Sequence, residues 1–427
     1  MNEEPTHAPA SPAPAWNPDE QDKLVSEALG ARRLGLANEL IARALALGPG
    51  QGRWWGRAAE LAEAAGVPAH AEMFRARAAG RAAPVPAPPV GSEAGSEPKY
   101  LVIREWGAGF WADVFCTLGW TIAARLCGRV PVVFWGSGSR YRAKAAGADA
   151  WTQYFEPASR ARLAEVERLA GPRFPERWNG RALTAAMEGR FEGPHSRLSF
   201  PEVLARSERV VVADYGLNVR SLLHWIPEGD EAFGLGIRDL LRREMARSAR
   251  PASWHVAQAA QLRKKLAGAK PLVGVHLRAS DKGGEYHDLG AALTSVMRAA
   301  GAALASLGDE ARALVVSESA PAIAQARTAL GPRMVTTDVT RTDGARAPHM
   351  AGMADGATLG REVLLDSLLL AQCEMFVGLA PSNVAAAVSL LRPWPANRIH
   401  LVGPSCLEQF FLEMYERDLS KALTPGA

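Results

Sequence analysis

Beyond residue 99 the sequence alternates short apolar runs with longer amphipathic stretches, and no other feature restricts the fold as much. Residues 100–104, 131–135, 209–214, 271–277, 313–317, 334–337 and 375–379 read as buried strands. Residues 112–126, 289–307, 320–330 and 359–372 read as the helices between them. Strands separated by helices form parallel sheets, because a parallel connection must cross the face of the sheet and the crossing helix covers it. Two such blocks occur in series, 99–250 and 251–427. The expected fold is therefore α/β, two Rossmann-like doubly wound domains facing a cleft, with ligands beyond the carboxyl ends of the strands.

The first hundred residues follow different rules. Residues 1–16 are rich in Pro and Ala and too poor in apolar bulk to bury a core, so they are expected to be disordered. Residues 82–98 have the composition of a semi-rigid linker. Between them, 17–81 reads as a small helical module. Ala37, Ala44 and Pro49 fall at the spacing of a tetratricopeptide repeat, Trp55 falls where its aromatic would, and Ala71 and Ala78 repeat two of these positions 34 residues later (71 − 37 and 78 − 44). A plain helical hairpin is the alternative. Since a free-standing solenoid needs about three repeats, the module is expected to lean on the neighbouring domain or on a protein partner.

Composition excludes several classes. The net charge of +4 comes from scattered arginines with no basic run, so no nucleic-acid partner is expected and an anionic small ligand is well suited. Cys116, Cys127, Cys373 and Cys406 lie far apart without a CxxC pair, which indicates neither a zinc site nor a disulfide framework, and no metal is expected. The N-terminal stretch has neither the basic start nor the apolar core of a secretory leader. The apolar region after Val363 is broken by Asp366, Gln372 and Glu374, so no membrane span is expected and the location is expected to be cytoplasmic.

Chemistry concentrates at the strand ends. Alternation along 271–277 puts Gly274, His276 and Arg278 on one face, with Arg278 at the carboxyl end. A guanidinium there can bind two oxygens of a diphosphate and neutralise charge on a departing nucleotide, with His276 orienting it; a strand-end ion pair with Asp281 is the structural alternative. Asp281, Lys282, Glu285 and Asp288 crowd the next loop. Glu285 or Asp281 can accept a proton from an attacking hydroxyl, and Lys282 can set that carboxylate's charge, against the alternative of a solvated loop ending in Asp288 as a helix N-cap. Gly107 and Gly109, in WGAGFWAD, form a strand-to-helix turn that can bring backbone amides to phosphate. Ser382 and Asn383, in PSNV, start a helix and offer donors to phosphate or ribose. Asp338, at the end of MVTTD, can pair with a purine edge or simply shape a turn.

In order along the chain, GAGFWADV, GVHLRASDK, VTTD, GREVLLDSLLLAQCEMFVG and PSNVAAAV resemble the fucosyltransferase superfamily of α1,6-fucosyltransferases, rhizobial Nod-factor fucosyltransferases and protein O-fucosyltransferases, across roughly residues 100–404. The resemblance implies a GT-B fold and inverting, metal-independent transfer of fucose from GDP-fucose, with no cofactor. It implies that Arg278 binds the β-phosphate beside His276, that Asp338 binds guanine, and that Ser382 and Asn383 close over GDP. It also implies the 99–250 domain on the acceptor side and the 251–427 domain on the nucleotide side. Ala279 stands where the α1,6 enzymes carry a second arginine, and their catalytic glutamate lies one residue farther from the Asp-Lys pair than Glu285 does. The acceptor is a glycan, a lipid-linked oligosaccharide or a protein. A GT-B transferase using another hexosyl or heptosyl nucleotide is a second reading, and a non-catalytic glycan- or nucleotide-binding adaptor is a third.

Overall fold

A computed structural model of the chain describes residues 17–48, 52–86, 97–143, 149–186, 198–279, 288–344 and 346–409. Four helices come first: α1 (Pro18–Gly30), α2 (Leu34–Leu47), α3 (Gly52–Ala65) and α4 (Pro68–Ala78). Asn17 caps α1 by accepting from the amide of Asp19 at 3.0 Å, and Pro18 and Pro68 supply the fixed φ that suits a first helical position. Helix starts recur at an offset of 34, 52 − 18 and 68 − 34.

The module is fused to the body. The Asn38 side chain donates to the Ser221 carbonyl (3.1 Å) and accepts from the Trp225 indole (2.8 Å), and both contacts are buried. Phe74 stands edge-on to Trp225 with ring centroids 5.0 Å apart. Arg77 donates to the carbonyls of His224 (2.7 Å) and Ile226 (2.9 Å). One hydrophobic core runs from the module through both later units, so the leaning surface that two hairpins need is supplied by this chain itself.

The first α/β unit contains β1 (Tyr100–Arg104), α5 (Phe110–Leu126), β2 (Val130–Phe134), the short helices α6 (Trp151–Tyr154) and α7 (Leu163–Glu167), β3 (Arg173–Phe174), α8 (Phe200–Leu204), β4 (Val210–Ala213) and α9 (Ile237–Ser248). Its four strands are parallel in the order β2-β1-β4-β3. The second unit contains α10 (Ser253–Ala267), β5 (Leu272–His276), α11 (Leu289–Leu307), β6 (Arg312–Val316), α12 (Ala320–Leu330), β7 (Met334–Val335), α13 (Pro348–Ala351), α14 (Gly356–Ala371), β8 (Met375–Leu379), α15 (Asn383–Leu391) and β9 (Ile399–Val402). Its five parallel strands run β7-β6-β5-β8-β9, the 3-2-1-4-5 order of a Rossmann-type sheet. The expected two-unit α/β architecture is what the chain adopts, the arrangement called GT-B.

Strands β3 and β9 and helices α9 and α10 were not evident in the sequence pattern. Strand β3 has two residues and β9 is only partly buried, so neither carries an apolar run. Helix α11 departs from the expectation about apolar stretches: at 19 residues and a mean hydropathy of 1.2 it is long and apolar enough to cross a membrane, and in the fold it packs through Val296, Ala300, Ala303 and Leu304 on the second sheet. Cys116, Cys127 and Cys373 are buried thiols outside any disulfide among the described residues.

The two units are keyed together along α14. The Trp111 indole of α5 donates to Ser367 Oγ (2.9 Å), and the Tyr154 hydroxyl, which donates to the Tyr141 carbonyl, stands 3.3 Å from the Ala357 carbonyl. Gly360 lies so close to that hydroxyl that any Cβ would collide with it. Replacing Asn38 by alanine takes from the buried Trp225 N–H its Asn38 acceptor, so N38A is expected to cost about 1–3 kcal/mol, read as a lower urea midpoint.

Candidate active site

Chain order reverses in the second sheet between β5 and β8, and the crevice that such a reversal opens lies at the strands' carboxyl ends. A cavity of about 300 Å³ fills it. Gly109, Phe110, Trp111 and Tyr141 line it from the first unit; His276, Arg278, Glu318, Asp366, Ser382 and Asn383 are among the residues lining it from the second.

Part of the lining can meet negative charge. Arg278 follows β5, with Nε 3.7 Å from the carboxylate of Glu318 at the end of the neighbouring strand β6. Glu318 also accepts from the Ala279 amide (3.1 Å), so it fixes the backbone beneath the guanidinium. His276 is 2% exposed. Burial lowers its pKa to about 4, with Glu318 opposing and Arg278 adding to the shift, so the imidazole is neutral at neutral pH. Its Nδ1 is buried with no hydrogen-bond partner among the described residues. Ser382 occupies the N-cap of α15 without making a side-chain capping bond, so local helix capping does not account for its hydroxyl.

The lining also offers hydrogen-bond acceptors. Asp366, on α14, is 6% exposed, and its Oδ1 lacks a partner among the described residues. Burial raises its carboxyl pKa to about 7, against the pull of the Thr337 hydroxyl and the Arg341 guanidinium. One turn earlier, Glu362 accepts from the amide (3.1 Å) and hydroxyl (3.2 Å) of Thr340. The cavity lining thus combines a cation with the carboxylates of Glu318, Glu362 and Asp366.

The first unit presents an aromatic wall. Tyr141 is buried on the loop after β2, and burial pushes its phenol up to about 12. That loop is tied down by Glu105, whose two carboxylate oxygens accept from the amides of Gly136 (2.9 Å) and Gly138 (2.8 Å).

Of the residues expected from the sequence, the fold brings His276, Arg278, Ser382, Asn383 and Gly109 to one cavity. Asp281, Lys282 and Glu285 lie outside the described residues. Asp338 is exposed and does not line the cavity, although Val339 and Thr340 after it do. Strand β7 ends at Val335, two residues short of the expected 337, so Asp338 is not a strand-end residue. Gly107 has a different fate. Its amide (3.0 Å) and that of Ala108 (2.7 Å) both donate to the buried carboxylate of Asp113, in the first turn of α5. A fixed anion holds these two amides and would repel a phosphate, so Gly107 is not a free phosphate donor, while Gly109 still lines the cavity.

Glu318 and Asp366 were the main omissions. An acid in the otherwise apolar run LLDSLLLA is a signal, since an ionisable group on a buried helix face calls for a partner. Glu318 follows the apolar strand 313–317 and is marked only by its strand-end position.

No protein-family model and no curated protein matches this sequence. Solved structures are similar in fold. They include NodZ α-1,6-fucosyltransferase soaked with GDP-fucose, at 19% identity over 70% of this chain and 94% of that one, with a TM-score of 0.47. NodZ from Bradyrhizobium matches at 20% identity, 70% and 94% coverage and a TM-score of 0.46. POFUT1 in complex with GDP matches at 14%, 71%, 98% and 0.41.

Removing the Asp113 carboxylate strands two amides. Asp113→Ala is expected to lower stability by about 2–4 kcal/mol in chemical denaturation, and to leave the cavity-lining residues of the second unit in place.

Proposed function

We propose that the chain is a glycosyltransferase whose donor is a nucleoside diphosphate sugar, with GDP-fucose the preferred donor. The observation that carries this reading is what one cavity brings together: Arg278 with the start of α15, and the buried Asp366, whose Oδ1 lacks a partner among the described residues. A diphosphate suits the first, because a guanidinium fork and helix-start amides both bind phosphate oxygens. A base edge with adjacent N–H donors suits the second. Guanine presents two such donors on one edge, so Asp366, rather than Asp338, is the residue assigned to the base. NodZ and POFUT1 structures of similar fold were solved with GDP-fucose or GDP.

Fucose, inversion and metal independence rest on the motif resemblance of GVHLRASDK and PSNVAAAV. In this reading the acceptor oxygen attacks the anomeric carbon from the face opposite the diphosphate, and the bond from that carbon to the β-phosphate oxygen breaks. The acceptor proton passes to Glu285 or Asp281, and GDP leaves with the bonding electron pair. Arg278 meets the charge that grows on the leaving phosphate, which is where a fixed cation lowers the barrier. Neutral His276 can donate or accept one hydrogen bond beside it without adding charge.

Arg278→Ala is expected to weaken GDP binding by about 2–5 kcal/mol, at least ~30-fold in Kd, in calorimetric titration. Unchanged GDP affinity would remove Arg278 from the site. Thermal-shift titration with GDP, ADP and UDP reads the base: GDP is expected to stabilise most, since only a bound ligand shifts the folding equilibrium.

Asp366 gives the binding a pH dependence. With its carboxyl pKa near 7 in the empty site, the ionised acceptor form prevails above that pH and is lost below it. The ratio of GDP affinity between wild type and Asp366→Asn is expected to rise as pH increases from about 6 to 8, by at most tenfold per unit. A ratio flat with pH would mean that Asp366 does not accept from the base.

A further inference from the structure

One carboxylate of the cavity has no part in the donor reading above. Glu362 lies on α14 one turn before Asp366, and both residues line the cavity together with Thr340. Side chains four residues apart on a helix are neighbours, with about 5–6 Å between their Cβ atoms. The proximity is also electrostatic: burial is the main cause that raises the Asp366 carboxyl, and the charge of Glu362 adds to it. Asp366 is buried, whereas Glu362 is half-buried.

Thr340 fixes the direction of this carboxylate. Its amide donates to Glu362 Oε2 (3.1 Å) and its hydroxyl to Oε1 (3.2 Å). The segment that carries Thr340 is held in turn by the end of β6. The Thr336 hydroxyl donates to the Val315 carbonyl (2.7 Å) and accepts from Arg341 (3.1 Å), and the Thr342 amide donates to the Glu318 carbonyl (2.8 Å). A carboxylate accepts at about four lone-pair sites. Thr340 takes one on each oxygen, so each oxygen keeps a site for a ligand donor.

An ionised carboxylate repels phosphate and calls for hydroxyl or N–H donors. A nucleoside diphosphate sugar carries such donors on the base edge, on the ribose and on the transferred sugar. The base is assigned to Asp366. The ribose is bonded directly to the base, while the transferred sugar lies beyond the diphosphate that belongs with Arg278. The donors within reach of one helical turn from Asp366 are therefore the ribose hydroxyls. Sheets of this type that bind dinucleotides use the same pairing of an acid with a ribose hydroxyl. We propose that Glu362, oriented by Thr340, accepts from the ribose hydroxyls and makes the site selective for ribonucleotides over deoxyribonucleotides. This inference rests on the donor reading above and adds a second point of nucleoside recognition to it.

The test is calorimetric titration of the full chain with GDP, 2′-deoxy-GDP and inosine diphosphate, which lacks the amino group of guanine. Wild type is expected to bind GDP at least about tenfold more tightly than 2′-deoxy-GDP, because the deoxy ligand leaves a lone pair of Glu362 unpaired. Glu362→Ala should bring that ratio below about threefold, and Glu362→Gln, which keeps one acceptor oxygen, should retain part of it. The melting temperature without ligand shows that each variant is folded. If Glu362 only held the Thr340 segment, its loss would weaken all three ligands alike and leave the ratio unchanged, and that result overturns the proposal. Equal binding of GDP and 2′-deoxy-GDP by wild type overturns it as well. A variant that changes the ratio of GDP to inosine diphosphate and leaves the deoxy ratio untouched places Glu362 on the base, against the proposal. Failure of wild type to bind GDP at all instead overturns the donor reading, so the two failures are told apart.

Discussion

Every ligand-facing group of the second unit depends on β5 pairing in parallel with both β6 and β8. The registers set His276 level with Val316 on one side and Gly378 on the other. Arg278, Glu318 and Ser382, each a few residues farther along, therefore emerge at the same height. The connection after β5 runs through α11 on one face of the sheet, while α15 after β8 joins the core on the other. The chain departs in opposite directions from two adjacent strands, and the gap it leaves is the cavity. Exchanging the positions of β5 and β8 in the sheet would keep every hydrogen bond in kind and abolish the site.

Much of this was legible from alternation alone. The strand 271–277 places His276 and Arg278 by period two, and a guanidinium at a strand's carboxyl end has only the crevice to face. The same logic misled at 334–337. MVTT has strand composition, yet pairing stops at Val335, and two unpaired residues suffice to turn Asp338 to solvent. Asp366 was visible as an acid in an apolar helix, but a helical position alone does not say which face points into a crevice formed by strands far away in sequence. The glycine turn at 107–109 was read as an amide cradle open to a ligand. What the pattern could not show is that a side chain six residues on folds back into it.

Buried acids in the first unit act as fasteners. Glu105 holds the loop after β2, and Asp113 holds the turn after β1. Arg104 balances the first of these from 3.3 Å, with its guanidinium over the rings of Phe134 and Trp178. A desolvated carboxylate is costly unless it is paired, and backbone amides pair it here while also being satisfied themselves. The cost of burying charge is thus offset by fixing two loops that would otherwise lose conformational entropy with little return. The outcome is an asymmetric cleft, with donors and charge offered by the second unit and a rigid, largely aromatic surface by the first.

The keyed contact along α14 has a consequence for how molecules enter and leave. Trp111 bonded to Ser367, and Tyr154 seated against Gly360, close the distance between the two sheets with a dry, interlocked seam. Opening by rotation of one unit away from the other would break that seam and expose aromatic core. The two sheets are therefore expected to move as one body, so a ligand of the cavity would enter and leave without the units swinging apart.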